Sequence, residues 1–540
     1  MSEIFFDNFD GETTGQPPSN WDVSGDVTVE DDPSPEYQGD LAMRLLAANG
    51  NPATATRSFA LASGVVEFNL KIYIDSATTP EFAPEWYPFS LFVEHYNPQN
   101  GQSDSALILA FALDSFNNRE FVICTSETGR IHLTDWEFDT WHDLKLRFIL
   151  TEPDVWSFSP LHRVEIELDG EVLSYGYCVN PLISGVNRIR LVAQSFDECP
   201  SPDVTRYLDC TTYVDDVSAS QEAWEMPPEY RCPAAGFCWL DAAEWVSIEA
   251  GKEWMDGFTP PQFYLAMTEG FWPENMAHPH LGKEWHSIDP NPPEGYTWAD
   301  QYVDIDFGQK TLVEAISILN HNLADMLYLL PGEPWREVVL LAKDDAEGDW
   351  EYRLWLLDVL LVGFVLRAMS GGDVRTPLGW THATVFPNKS YRYWRILIRQ
   401  YRPTDSDGTA LEYFKIGRLL AGTITELVRN FDYEWSLEFE DASASATALT
   451  GARWFRELPV RRRITLSFTA DDDNYMSLTA QLATLRREPH LYILAPVEDT
   501  DELPQLSLYG LIESNPMSLE IRSLSERFCD YEIELTEEVW

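Results

Sequence analysis

Two short runs, residues 302–308 (YVDIDFG) and 391–398 (YRYWRILI), constrain the fold more than any other part of the chain. Both alternate with a period of two, a pattern that a half-buried strand can satisfy and a helix cannot. In the first, Val303, Ile305 and Phe307 share one face, and Asp304 and Asp306 share the other. The run closes on Gly308. In the second, Trp394, Ile396 and Ile398 form the apolar face, and Tyr393 and Arg395 the polar one.

The same alternation recurs elsewhere. Val164, Ile166 and Leu168 alternate with Glu165, Glu167 and Asp169, and Asp169-Gly170 then supplies a two-residue hairpin turn. Leu144, Leu146 and Phe148 repeat the pattern, and residues 213–217 (YVDDV) read as a closing strand. At 540 residues the chain exceeds one ordinary core. The expectation is a mainly β protein: two jelly-roll or β-sandwich domains, then a small β-barrel-like domain with one packed helix. The boundaries fall at 1–224, a Pro-rich linker at 225–235, 236–422, and 423–540. The helix is expected after the alternating run 461–468 (RRRITLSF). Asp471–473 would cap it, Tyr475, Leu478, Leu482 and Leu485 would form its apolar stripe, and Pro489 would stop it.

The formal charge is −52, and the acidity is spread along the chain: residues 1–224 hold 37 Asp and Glu against 11 Lys and Arg. Such a surface repels phosphate backbones, so nucleic acid is excluded as a partner. The longest apolar run, 354–369, is broken by Asp358 and Arg367 and is too short to span a bilayer, so no membrane insertion is expected. Residues 1–10 lack a basic, then apolar, leader, so no signal peptide is expected. Seven cysteines without a CxxC pair suit a reduced protein, although Cys232 and Cys238 stand close enough in sequence to pair.

Short motifs in order, namely FFDNFDG, SGVVEFNLKIYI (63–74), WHDLKLRF (141–148), VEIELDGEVL (164–173) and YVDDV, resemble concanavalin A-like lectin/glucanase sandwiches. The strands YVDIDFGQ, AISILNHNL (315–323), YRYWRILI and FKIGRLLAG (414–422) resemble discoidin-like, galactose-binding sandwiches, in which the Arg at the position of Arg395 is structural. The basic strand, the LYIL run, the Tyr-Gly strand and the closing IELTEE resemble a module of tailed-phage tail proteins. Together these resemblances imply a virion structural protein at the tail tip or baseplate, made in the host cytoplasm. It would be a ring of its own copies among other tail proteins, touching host-surface polysaccharide. The alternatives are an extracellular carbohydrate-binding protein, or a glycoside hydrolase or lyase of the concanavalin A-like superfamily.

Four tryptophans in loop-like stretches, Trp272, Trp285, Trp298 and Trp380, are the candidate sugar-stacking rings. Asp7, Asp10, Asp215 and Asp216 would meet where the terminal strands pair, and their oxygens would suit a structural calcium. Arg461 and Arg463 share one strand face and are candidate contacts to an acidic neighbour. Glu165 and Glu167 share a face as a glycosidase pair would, but the polar-out alternation of a half-buried strand is the better explanation. His278, His280 and His286 lack metal-site spacing. No catalytic residues are assigned, and the chain is expected not to be an enzyme.

Overall fold

The computed structural model describes residues 2–33, 40–48, 51–76, 86–113, 118–124, 130–150, 162–178, 185–194, 196–197, 207–208, 210–223, 229, 236–253, 264–265, 272–279, 283–287, 298–323, 336–356, 382–401, 413–426, 431, 435–441, 444–447, 453–456, 460–471, 485, 488–495, 507–513, 520–523 and 528–538. The chain is nearly all β, built from antiparallel sheets, and none of the described sheets closes into a barrel.

Residues 1–224 form a sandwich of two sheets. The eight-stranded layer runs in space Glu171–Cys178, Arg163–Leu168, Trp141–Leu150, Gly64–Ile74, Cys210–Glu222, Leu41–Ala47, Asp26–Asp31, with Ser2–Asp7 also on Cys210–Glu222. The seven-stranded layer runs Arg130–Asp135, Arg119–Cys124, Gln102–Leu113, Trp86–Asn97, Val186–Ala193, Ala53–Ala62, Asp22–Ser24. Alternation sends Phe68, Phe148, Leu146 and Ile166 from one layer to meet Phe89, Phe111, Leu91 and Ile189 from the other. The Asp169-Gly170 turn forms as expected, with both residues at positive φ (52° and 82°).

The two runs that opened the sequence reading are adjacent strands. Trp298–Val313 pairs with Lys389–Tyr401, placing Val303 opposite Ile396, Ile305 opposite Trp394 and Asp304 opposite Arg395. Val303, Ile305, Trp394, Ile396 and Ile398 are buried in one core, while Arg395 binds Asp304 through two hydrogen bonds (2.6 and 2.8 Å). This agrees with a structural Arg395. The first strand does not stop at Gly308; it bulges there and continues to Val313. These strands belong to a six-stranded sheet, ordered Tyr264–Leu265, Ser247–Glu253, Trp298–Val313, Lys389–Tyr401, Arg336–Lys343, Tyr352–Trp355.

Opposite it lies an eleven-stranded sheet that runs from the middle segment into the last. Its order is His382–Val385, Ala315–His321, Lys415–Glu426, Gly236–Ala242, His490–Ala495, Ser507–Ile512, Phe528–Glu537, Val460–Asp471, Ser436–Asp441, with Trp285–His286 also on Lys415–Glu426 and Glu520–Ser523 also on Phe528–Glu537. Gly236–Ala242 is the seam, since it pairs with Lys415–Glu426 on one side and His490–Ala495 on the other. Ile464, Leu466 and Phe468 face the last segment's core, as their alternation demands. Of the expected helix only Leu485 is described; it is helical and buried, and the rest lies outside the described residues. Cys210 is a buried free thiol, and Cys232, the candidate partner of Cys238, lies outside the described residues. Among the described residues no helix is long and apolar enough to cross a membrane.

Candidate functional site

A cluster of charge and aromatic rings lies on the outer face of the seven-stranded layer of the first sandwich. Trp86–Asn97 and Val186–Ala193 are neighbours there, with Glu94 opposite Arg188 and Phe92 opposite Arg190. Side chains directly opposite in an antiparallel pair are in contact range, so the register alone assembles the group. Arg188 donates from Nε to Glu94 Oε2 (2.6 Å), and Arg190 donates from Nη2 to Glu94 Oε1 (2.8 Å). Glu94 is 1% exposed, yet both its oxygens are satisfied by charged donors, which is what makes its burial tolerable.

One carboxylate shared by two guanidiniums leaves a local positive charge on a strongly acidic protein. The guanidiniums are also held flat. Arg190 lies 3.8 Å from the Phe92 ring centre and Arg188 lies 4.3 Å from that of Tyr96. Arg188 further donates to Ser103 Oγ. Among the described residues the Nη1 groups of both arginines make no hydrogen bond, so a fixed pair of donors remains. On the same face Ala110, Ala112 and Val122 form a small apolar cluster with Tyr87 and Cys124. The strand pattern NRIR (187–190) carries the signal for this site: two arginines at i and i+2, scarce in a segment with eleven basic residues.

The expected site residues are scattered. Trp272 is 45% exposed beside the short 3-10 helix Pro273–Ala277 and can offer a ring face. Trp285 cannot: it is fully buried in the middle core, so its assignment as a sugar contact is corrected to a core residue. Trp298 opens a strand, with its side chain outside the described residues, and Trp380 also lies outside them.

The terminal strands do meet, with Asp7 opposite Val217. Their carboxylates have protein partners. Asp7 accepts from the Trp21 Nε1–H (3.0 Å), Asp10 accepts from Asn8 Nδ2 (2.7 Å), and Asp216 pairs with Lys71 (2.8 Å). Among the described residues no group of three or more His, Cys, Asp or Glu is arranged to hold a metal ion. Asp215 differs from the other three. It sits at a bulge of Cys210–Glu222, and one of its oxygens is buried without a hydrogen bond. Burial pushes its carboxyl up to about 7; a backbone hydrogen bond from Asp216 opposes this, as does the charge of Lys71, while the charges of Asp216 and Asp10 add to it.

The consequence is a pH dependence of stability. The folded pKa lies above the unfolded one, so the fold favours the neutral acid, and stability falls as pH rises from about 4 to about 7. Asp215→Asn is expected to stabilise the fold at pH 8 by about 1–2 kcal/mol after allowance for solvent screening, raising the melting temperature there, and to have little effect at pH 4. Thermal melts of both proteins across that range check it; an equal effect at both pH values contradicts it.

Arg461 pairs with Glu440 (3.0 Å) and Arg463 with Glu534, both on neighbouring strands of the same sheet. Glu165 pairs with Arg147 (3.2 Å) and Glu167 lies opposite Lys145, as a solvated strand face would have it. His286 binds Glu284 (2.7 Å), whose other oxygen meets Lys415 (3.1 Å) and Asn320 Nδ2 (2.9 Å). His280 lies outside the described residues.

No protein-family model matches the sequence, and the search of curated proteins found no relative. Solved structures similar to the chain include alginate lyase Aly36B (TM-score 0.29, 10% identity, 42% of this chain and 98% of that one). They also include the marine alginate lyase from Aplysia kurodai (TM-score 0.29, 9% identity, 41% and 100%). A third is the catalytic domain of the glycoside hydrolase family 131 protein from Coprinopsis cinerea (TM-score 0.28, 10% identity, 41% and 95%). These are carbohydrate-binding or glycan-acting β-sandwich folds, and nothing among them shows a phage tail protein. The expectation that the chain is not an enzyme is therefore corrected, because lyases and a hydrolase catalytic domain stand among its structural neighbours.

Proposed function

We propose that the chain is a glycan-recognising protein whose first sandwich takes a polysaccharide on the outer face of its seven-stranded layer. The observation that carries this reading is the fixed pair of arginines. Arg188 and Arg190 are clamped by Glu94, held against Tyr96 and Phe92, and keep Nη1 donors in reserve. Hydroxyl and carboxylate oxygens of a sugar are the acceptors such donors fit, and a carboxylated sugar would use the surplus charge as well. The aromatic rims of Tyr96 and Phe92 supply apolar contact for the ring's C–H face.

The test is affinity gel electrophoresis of the full chain in gels containing alginate, polygalacturonate or a neutral β-glucan, with release of new chain ends measured in parallel. Retardation by an acidic polysaccharide is expected. Arg190→Ala should weaken it by about tenfold, the worth of one lost charged hydrogen bond, and Phe92→Ala, which removes the ring beneath Arg190, should weaken it severalfold. Absence of retardation in every gel, or unchanged retardation in both variants, overturns the reading. Chain-end release that is lost in Arg190→Ala would make the same face a site of turnover.

A further inference from the structure

The edge strand of the first sandwich does not end in solvent. Glu171–Cys178, at the rim of the eight-stranded layer, lies against the outer face of the six-stranded sheet of the middle segment. Ser174 donates to Glu337 Oε1 (2.8 Å), and the Tyr175 N–H donates to Glu337 Oε2 (3.0 Å). Arg399 donates from Nη1 to the Leu173 carbonyl (2.6 Å) while Nε and Nη2 hold Asp300 (2.8 and 2.9 Å). Asp300, Arg399 and Glu337 stand in one row across three strands, since Arg399 is opposite both. Arg163 covers the Trp355 ring at 3.9 Å, and Arg353 covers that of Tyr175 at 4.9 Å. Gly176 comes so close that an added Cβ would lie 2.6 Å from Trp355 Nε1.

Ser174 is fully buried and Glu337 is 1% exposed. An ionised carboxylate is held out of water only where hydrogen bonds replace its hydration, and two of those of Glu337 come from the other sandwich. Separating the two would either expose Glu337 or strand it. We propose that the first and middle sandwiches form one rigid unit, with the Glu171–Cys178 edge as the docked surface and Glu337 and Arg399 as its clamp. The docked residues all belong to the eight-stranded layer, not to the seven-stranded layer that carries Arg188 and Arg190. The joint also covers an edge strand that would otherwise offer unpaired backbone to other chains.

Small-angle X-ray scattering of the full chain tests the arrangement without any substitution. One fixed placement of the two sandwiches should fit the profile; a profile that requires an ensemble of orientations overturns the proposal. Hydrogen exchange tests the clamp. In Glu337→Ala the amides of 172–177 should exchange about tenfold faster or more, while those of 107–113 in the core of the first sandwich keep their rate. Unchanged exchange at 172–177 overturns the clamp. If 107–113 also speeds up, Ser174→Ala replaces the variant and is read by the same two peptides.

Discussion

Glu537→Ala is expected to destabilise the last segment by about 3–5 kcal/mol, the cost of taking a hydrogen-bonded carboxylate away from a buried charge. Arg462 is 0% exposed, on the apolar side of Val460–Asp471, where the sequence alternation puts the middle arginine of the triplet. Glu537 meets it three times. The Arg462 N–H donates to Oε2 (3.0 Å), and Nε and Nη2 donate to Oε1 (3.1 and 2.6 Å). Removing the carboxylate takes these three hydrogen bonds from a guanidinium that cannot deprotonate, which favours water entering the core or the strand leaving it. A fall of roughly 10–20 °C in the transition of residues 423–540 follows for a segment of this size. Differential scanning calorimetry measures it. Replacing both partners, Arg462→Met with Glu537→Leu, should recover much of the loss, because an apolar pair removes the stranded charge. A single variant that melts within about 2 °C of the parent contradicts the reading.

Arg462 also shows how far a sequence can be read. Period-two alternation located the strands, gave their buried faces and sent Arg462 inward, because the pleat leaves no choice. It could not give the partner. Glu537 lies 75 residues away and reaches Arg462 only through the pairing of Val460–Asp471 with Phe528–Glu537. The arginine pair at 188 and 190 is a similar case. Its NRIR run is ordinary among alternating strands and is not among the expected site residues, because its meaning depends on Glu94, Phe92 and Tyr96 arriving on the adjacent strand. Trp285 erred the other way. A Pro-rich surrounding suggested a loop, whereas a two-residue strand on Lys415–Glu426 turns the ring into the core.

The resemblance of residues 423–540 to a tail-protein module rested on short strand patterns. Alternation of this kind encodes a buried face and a turn, and unrelated β folds share both. What it could not show is that the strands extend the sheet of the middle segment. That continuity depends on Gly236–Ala242, whose seven residues sit far in sequence from both of its partners.

Gly422→Val tests that seam. Gly422 lies opposite Ala315 on one side and Ala242 on the other, where Lys415–Glu426 passes between its two neighbours. A Cβ there would stand 2.1 Å from the Asp241 carbonyl oxygen and 2.8 Å from the Ala243 nitrogen. Both obstacles are backbone, so no rotamer change relieves them. The strands must part, and the Ala243 N–H to Ala421 carbonyl bond (2.9 Å) goes with them. Overpacking plus lost ladder bonds costs about 3 kcal/mol or more. The pattern of damage is the sharper measurement. Gly236–Ala242 pairs with His490–Ala495 through the same backbone, so a wedge at Gly422 should loosen both strands, and hydrogen exchange at 238–242 and at 490–495 should rise together. If exchange rises at 238–242 and stays unchanged at 490–495, the two segments hold their sheets independently and the seam is only a contact. If both rise, the last segment derives part of its stability from the middle one, because a shared strand cannot lose its register on one edge and keep it on the other.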